Sequence, residues 1–489
     1  MRSPPRARSA LVAALAACLF ALIAGAKWET LHRYGSPMPD WDQWDAEGAH
    51  LLIPWIEGRD FLTQLVTPHN EHRVVLTKLQ NLALYLVSGQ WDARLQSVVN
   101  ALLHTGLGVG MWLGARRCVG GAWQAALFVI VAALFAPPVA WENVRGGFHS
   151  QQYWLVSLSV VAVATLPFSP AGAPRWWAGL LAATLALGSM ASGFLAAFTV
   201  LLVVGWRTAR REVPWRAAWP TLAACATIVA IGLAIRVAPE GHSHMRAASV
   251  GGFLLSTLHS LEWPLRGAPW AGLILWLPWG VAAWRALAGR ADRAGQVIAA
   301  LGLWVIGQIL AAAYARGAGG DYPSSRYMDT LAVGLFVNAL ALARLLPRVT
   351  LPRAARWALR TGAVAWLAIF GTGLVTHLAS VARFDLPASR RYYDRAEANV
   401  AAYVATGDRR HLAGPDVPHP DPDALARWLD HPGIRAALPV PLRTSAEMSV
   451  PSYWAWQATT HGLLIAALAG GGALLLGAVA WRSARRAPR

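Results

Sequence analysis

Apolar residues fall in long runs separated by short polar segments along the whole chain. Runs of about 15–22 residues rich in Ala, Leu, Val, Gly and Trp are the signature of helices that cross a bilayer. Read this way, the pattern predicts an all-α polytopic membrane protein with about 12 transmembrane helices. They lie near 9–26, 94–115, 121–140, 153–168, 217–235, 270–286, 295–313, 330–346, 361–379 and 458–481, with two more inside 176–206. The run from Trp176 to Trp206 is too long for one helix and is interrupted at Ser189–Gly193, so two short helices joined by a tight turn are predicted. The first run follows Arg2, Arg6 and Arg8 and resembles a signal peptide, with Ala24-Gly25-Ala26 like a cleavage site. It is read as an uncleaved first helix, because the later spans need it for a consistent orientation.

The polar segments divide into two kinds. One kind is basic, with almost no acid apart from Glu212 and Asp292, and includes Arg116-Arg117, Arg285–Arg293, Arg344–Arg360 and the tail Arg482–Arg489. The other kind is near neutral and carries nearly all the carboxylates. That alternation is the positive-inside pattern, and it puts both termini and the basic loops in the cytoplasm. The domain plan is a transmembrane body over 1–379 with an outer acidic loop at 27–93. A small proline-broken extracytoplasmic cap follows at 380–457, then a last span and basic tail at 458–489. Inside the acidic loop, Asp42–Glu57 and Arg73–Ser88 each space apolar residues helically against a polar face, which predicts two helices lying on the membrane.

Composition agrees. The chain has 489 residues, 56% of them hydrophobic and 14% charged, with a mean hydropathy of +0.38. A soluble protein carries about 25% charged residues. The net charge of +18 does not point to nucleic acid, because the basic residues follow the topology. Cys18, Cys118 and Cys225 are widely separated and lack metal-ligand spacing, so neither a disulfide framework nor a zinc site is expected. No internal repeat is visible, which counts against inverted-repeat transporter folds.

Candidate chemistry gathers in the outer loops. The stretch Pro37–Lys78 holds Asp40, Asp42, Asp45, Glu47, Glu57, Asp60 and Glu71. A membrane protein that keeps this many carboxylates together uses some of them, unless they only solvate the loop. Asp42 and Asp45, flanked by Trp41 and Trp44, are candidate general bases for an alcohol, with Asp40 as a third. Capping the following helix is the structural alternative for Asp42. Asp40 and Asp42 also form an Asp-x-Asp pair able to hold a divalent metal beside a phosphate. No cofactor is otherwise indicated. His69, Glu71, His72 and Arg73 form a polar cluster read as substrate-binding, with Arg73 on a phosphate; Pro68 argues against a helical His69/His72 metal pair. Arg145, His149, Arg326 and Tyr327 supply donors from two further outer loops, with snorkelling or capping as the alternative for the arginines.

These features resemble the integral-membrane glycosyltransferases of the GT-C fold. The likeness rests on Asp42-Gln-Trp-Asp45 followed by Ala46–Gly58, on the paired short spans around Ser192, and on Ser325-Arg326-Tyr327 opening a later helix. The acidic position is spread over three aspartates where many members have an adjacent Asp-Glu pair, and the cap is smaller than oligosaccharyltransferase soluble domains. The resemblance implies transfer of a sugar from a polyprenyl-phosphate donor to a hydroxyl of an envelope glycan, lipid or protein. The reaction would occur on the outer face of the cytoplasmic membrane, with an Asp base in the first outer loop and Arg326 on the leaving phosphate. A transporter or flippase of a lipid-linked glycan, or a non-catalytic protein of the same fold, is the alternative.

Overall fold

A computed structural model describes residues 5–348, 352–443 and 447–486. Arg2, Arg489 and the centre of the loop 344–360, used above in the charge pattern, lie outside them. The chain is 78% helical, with no strand among the described residues. Among the described residues, seven helices are long and apolar enough to cross a membrane: Ser9–Tyr34, Ala93–Ala115, Trp215–Ala234, Arg293–Arg316, Ser325–Leu346, Arg356–Thr406 and Gly462–Ala480. It is a multi-pass helical membrane protein. The five other predicted spans are helices too, but Ala122–Phe135, Ser150–Thr165, Pro174–Ala186 and Phe194–Ala209 have only 14, 16, 13 and 16 residues. Prolines bound several of them, such as Pro137 and Pro138 after Phe135 and Pro174 at the start of its helix. Pro269–Leu287 has 19 residues, and its tryptophans and internal Pro278 lower its apolar character.

The chain forms two compact units. The first comprises 1–41, 84–148 and 383–489. Its opening helix runs from Pro5 to Tyr34, well past the predicted end at residue 26. The extension holds because its charges are matched: Glu29 pairs with Arg33 one turn on, and Glu29 Oε2 accepts from the Leu463 amide at 3.2 Å. The final helix crosses at Gly25 and Gly462, where an added Cβ would stand 2.7 and 2.4 Å from facing backbone atoms, so glycine lets the two backbones touch. Leu31, Leu95, Val98, Val144 and Ala455 make a buried cluster beside them. The cap builds on the helix Leu386–Thr406, stopped by Gly407 in the left-handed region (φ +70°). Asn399 and Arg395 hold the strap around Asp416 against this helix, at 2.9 and 2.7 Å.

The second unit comprises 42–83 and 149–382. The acidic segment opens it as a π-helix, Trp44–Leu52, followed by short helices at Ile53–Ile56 and Phe61–Val66 and by Val75–Ser88. Among the crossing helices, polar ties fix the packing. Trp176 Nε1 donates to Thr221 at 2.8 Å, Trp366 Nε1 to the Leu275 carbonyl at 2.9 Å, and Arg344 forks onto Asp292 at 2.6 and 2.7 Å. The predicted interruption is present: one helix ends at Ala186 and the next begins at Phe194. Gly193 makes the fold-back possible, since a Cβ there would lie 1.9 Å from the Ala186 carbonyl oxygen.

Candidate functional site

Most of the carboxylates in the acidic segment have structural partners, and this separates them. Asp60 caps the helix Phe61–Val66 through the Thr63 amide at 3.2 Å. Glu57 pairs with Arg59 at the surface. Glu47 is buried and is met by Asn81, by Gln43 at 3.4 Å and by the charge of Lys78. Lys78 is itself buried, with Nζ on the carbonyls of Gln64 and Thr67 at 2.7 and 3.0 Å, and burial lowers its pKa to about 8. This group fastens the π-helix to the helix Val75–Ser88. Asp45 is half-buried in the π-helix, near His50.

Asp42 and Glu71 remain. Asp42 Oδ1 lies 3.2 Å from His69 Nε2, and its carboxyl sits near the start of the π-helix, where no side-chain cap is made by Gln43. Burial works against its charge, yet the bond from His69 and the positive potential of His69, His149 and Arg326 prevail, so Asp42 stays below the usual carboxylate range. His69 and His72 are not helical neighbours. They exchange backbone hydrogen bonds at 2.8 and 2.9 Å across a tight turn whose Asn70 adopts φ +52°, a left-handed conformation that asparagine tolerates.

That turn presents Glu71 and His72 to a cavity of about 210 Å³. Glu71 Oε1 meets Arg316 Nη2 at 2.7 Å and His242 Nδ1 at 2.9 Å. Burial opposes its ionisation, but these bonds outweigh it and hold its pKa at about 2. Its other oxygen, Oε2, is buried without a hydrogen-bond partner. His72 Nδ1 accepts from the Ala191 amide at 3.2 Å, so the neutral ring carries its proton on Nε2. Burial pushes the His72 pKa down to about 4. The cavity walls are apolar, from Leu155, Phe194, Leu195, Ile309 and Ala312. Its charged lining, Arg236 and Arg316 beside Glu71 and His72, comes from helix ends and loops, and Gln152, Ser260, Gln308, Tyr327 and Thr330 add neutral polar groups.

The structure therefore brings Asp42, His69, His149 and Arg326 within electrostatic reach of one another, and lines one cavity with Glu71, His72 and Tyr327. Arg73 differs from the expected phosphate ligand. Its Nη1 donates to the Val66 carbonyl at 2.7 Å and its Nε to the Ile235 carbonyl at 3.3 Å, which makes it a staple between loops. Among the described residues no group of three or more His, Cys, Asp or Glu side chains is placed to hold a metal ion. Arg236, Arg316 and His242 were not singled out by sequence. Arg236 and Arg316 could have drawn attention only by their position at or just past the ends of apolar helices, and His242, in the short 3-10 turn Glu240–Met245, carried no such signal.

Asp40 and Arg145 belong to the first unit. Asp40 is bridged by the hydroxyls of Tyr392 at 2.7 Å and Tyr393 at 3.3 Å. The Arg145 guanidinium stacks over Trp141 at 4.9 Å and Tyr393 at 4.8 Å, and its Nε and Nη1 are buried without hydrogen-bond partners.

No family model matches the chain, and neither a curated protein nor a solved structure matches it.

Proposed function

We propose that the protein is a GT-C-type glycosyltransferase of the cytoplasmic membrane, moving a sugar from a polyprenyl-phosphate donor to a hydroxyl of an envelope glycan, lipid or protein. The observation that carries this reading is the cavity in the second unit. Its apolar walls suit an isoprenoid chain, and the arginines at its polar end suit the phosphate that such a chain carries. In the same unit Asp42 is kept ionised and oriented by His69, ready to accept the proton of an attacking hydroxyl. Attack on the anomeric carbon forms the new glycosidic bond and breaks the bond to the phosphate. The proton passes to Asp42, and the displaced phosphate carries the extra charge, steadied by Arg236, Arg316 and Arg326. Direct displacement inverts the anomeric centre. The finer topology belongs to the same proposal: twelve spans, both termini inside, and the acidic loop outside.

Filling the cavity tests the reading. Ala312→Trp is expected to abolish transfer from a radiolabelled polyprenyl-phosphate sugar and to prevent crosslinking by a diazirine-bearing polyprenyl phosphate. Full activity in that variant would remove the cavity from the mechanism. Transport without transfer is the second reading, and Lys27 and His104 favour it, because both are buried in helices long enough to cross the membrane. Movement of a fluorescent lipid-linked glycan across proteoliposomes that contain no acceptor would support it.

A further inference from the structure

Trp41 stands apart from the other exposed tryptophans. Its side chain is 56% exposed, comparable to Trp177, Trp215, Trp270 and Trp284. Those four lie in apolar helices, where an indole at the bilayer border is ordinary. Trp41 lies in a turn outside any helix, and its amide donates to the carbonyl of Pro418 at 2.7 Å, within the polar, proline-rich strap of the cap. Its sequence neighbours are the carboxylates Asp40 and Asp42, so its setting differs from that of the four in apolar helices.

The residue is also held with unusual care. Its φ of +49° lies in the left-handed region, which a bulky side chain rarely adopts and which persists only where neighbours over-determine it. Three anchors do so. The amide is fixed by Pro418; the indole lies beside the Tyr392 hydroxyl; and that hydroxyl donates to Asp40 at 2.7 Å and sits 3.0 Å from the Val417 carbonyl. Tyr393 braces the other Asp40 oxygen at 3.3 Å. The outcome is an aromatic face pinned along one edge and open on the other, with a carboxylate as its sequence neighbour.

We infer that Trp41 is a stacking platform for a pyranose ring of a saccharide, held in place by the Asp40–Tyr392–Trp41 chain. A pyranose presents a face of C–H groups that packs on the electron-rich indole, and its rim of hydroxyls suits a site edged by a carboxylate and phenols. A rigid indole loses little conformational freedom on binding, so the stacking contact costs little to form. The inference deepens the proposed function by naming a glycan as the acceptor, and rests on that function only for this role.

Binding is measured without donor lipid, by saturation-transfer NMR and titration calorimetry on the full chain in nanodiscs. The probes are cellotetraose and α1,6-linked mannotetraose. The wild-type protein is expected to bind at least one of them saturably, and Trp41→Ala to weaken that binding by about tenfold or more. Tyr392→Phe frees the indole edge and is expected to weaken it a few-fold, while Trp41→Phe, which keeps a ring, retains part of it. Should Trp41→Ala fail to fold, the Tyr392→Phe and Trp41→Phe pair still decides. Equal binding by wild type and variants, or no binding of either saccharide by the wild type, would overturn the platform. A protein that binds saccharide through Trp41 yet transfers no sugar would sink the glycosyltransferase reading and leave the platform standing.

Discussion

Glu71 Oε1 lies 2.7 Å from Arg316 Nη2, joining the turn His69–His72 to the end of the helix Arg293–Arg316 at the polar end of the cavity. His242 closes the same oxygen from a third segment, at 2.9 Å. Three stretches of chain distant in sequence are thus tied at one carboxylate. The tie is electrostatic, so its strength depends on pH.

The first prediction follows from that dependence. Glu71 titrates at about 2 in the fold against an ordinary value of 4.5, so its contribution is fully present above pH 4.5 and is lost as pH falls toward 2. His72 is held neutral down to about 4 against an ordinary 6.5, so its contribution fades earlier, as pH falls from 6.5 toward 4. Thermal unfolding in detergent should show two acid-side losses, and Glu71→Gln should remove the lower one. With solvent screening allowed for, the lower loss is on the order of 1–2 kcal/mol. An unchanged profile in Glu71→Gln would mean that the carboxylate carries no such load.

Gly193 gives a second prediction. A methyl group there would meet the Ala186 carbonyl at 1.9 Å, so the fold-back between the two short helices must open to accept it. Gly193→Ala should cost about 1–3 kcal/mol. Gly205→Ala, in the following helix with open space around its Cβ position, should be neutral or slightly stabilising. Equal unfolding temperatures for the two variants would contradict the close contact.

Topology supplies the third. Reporter fusions after Arg117, Arg211, Arg293 and Arg356 should read as cytoplasmic, and fusions near Arg145, Ser324 and Pro420 as external. A cytoplasmic signal at Ser324 would mean that the two helices flanking 187–193 do not both cross, which reverses every later loop.

These sites show where sequence was informative. The interruption near Ser189 was legible because small and polar residues break a run too apolar and too long for one helix. Helix ends at Asp60, Asp92 and Asp292 follow local capping chemistry, and all three cap in the structure. The division of labour among the carboxylates was not legible, since Asp42, Glu47 and Glu71 look alike in a one-dimensional chain. Burial of Glu47 against Asn81, and the meeting of Glu71 with Arg316, depend on contacts between segments that periodicity does not register. The π-helix over Trp44–Leu52 was read as part of an ordinary amphipathic helix over Asp42–Glu57, because the same apolar and polar residue types serve both and i→i+5 bonding carries no compositional mark.

The last prediction concerns Asp42 itself. Asp42→Asn keeps shape and hydrogen bonding but cannot take up a proton at neutral pH. If Asp42 is the base, transfer should fall by about 10²–10⁴ while crosslinking of the lipid donor persists. Asp45→Asn should change little. Asp40→Asn should act through acceptor affinity, raising KM for a saccharide acceptor more than it lowers kcat. His69 then separates a base from a mere scaffold. Its bond and positive potential depress the Asp42 pKa, so His69→Gln should raise that pKa and move the acid limb of the kcat profile to higher pH. A purely structural His69 would lower stability without moving the limb. If Asp42→Asn transferred sugar at the wild-type rate, Glu71, whose buried Oε2 has no hydrogen-bond partner and whose side chain lines the cavity, would be the next carboxylate to test. Glu71→Gln in the same assay would then choose between a displaced base and a protein that moves lipid-linked glycans without cutting them.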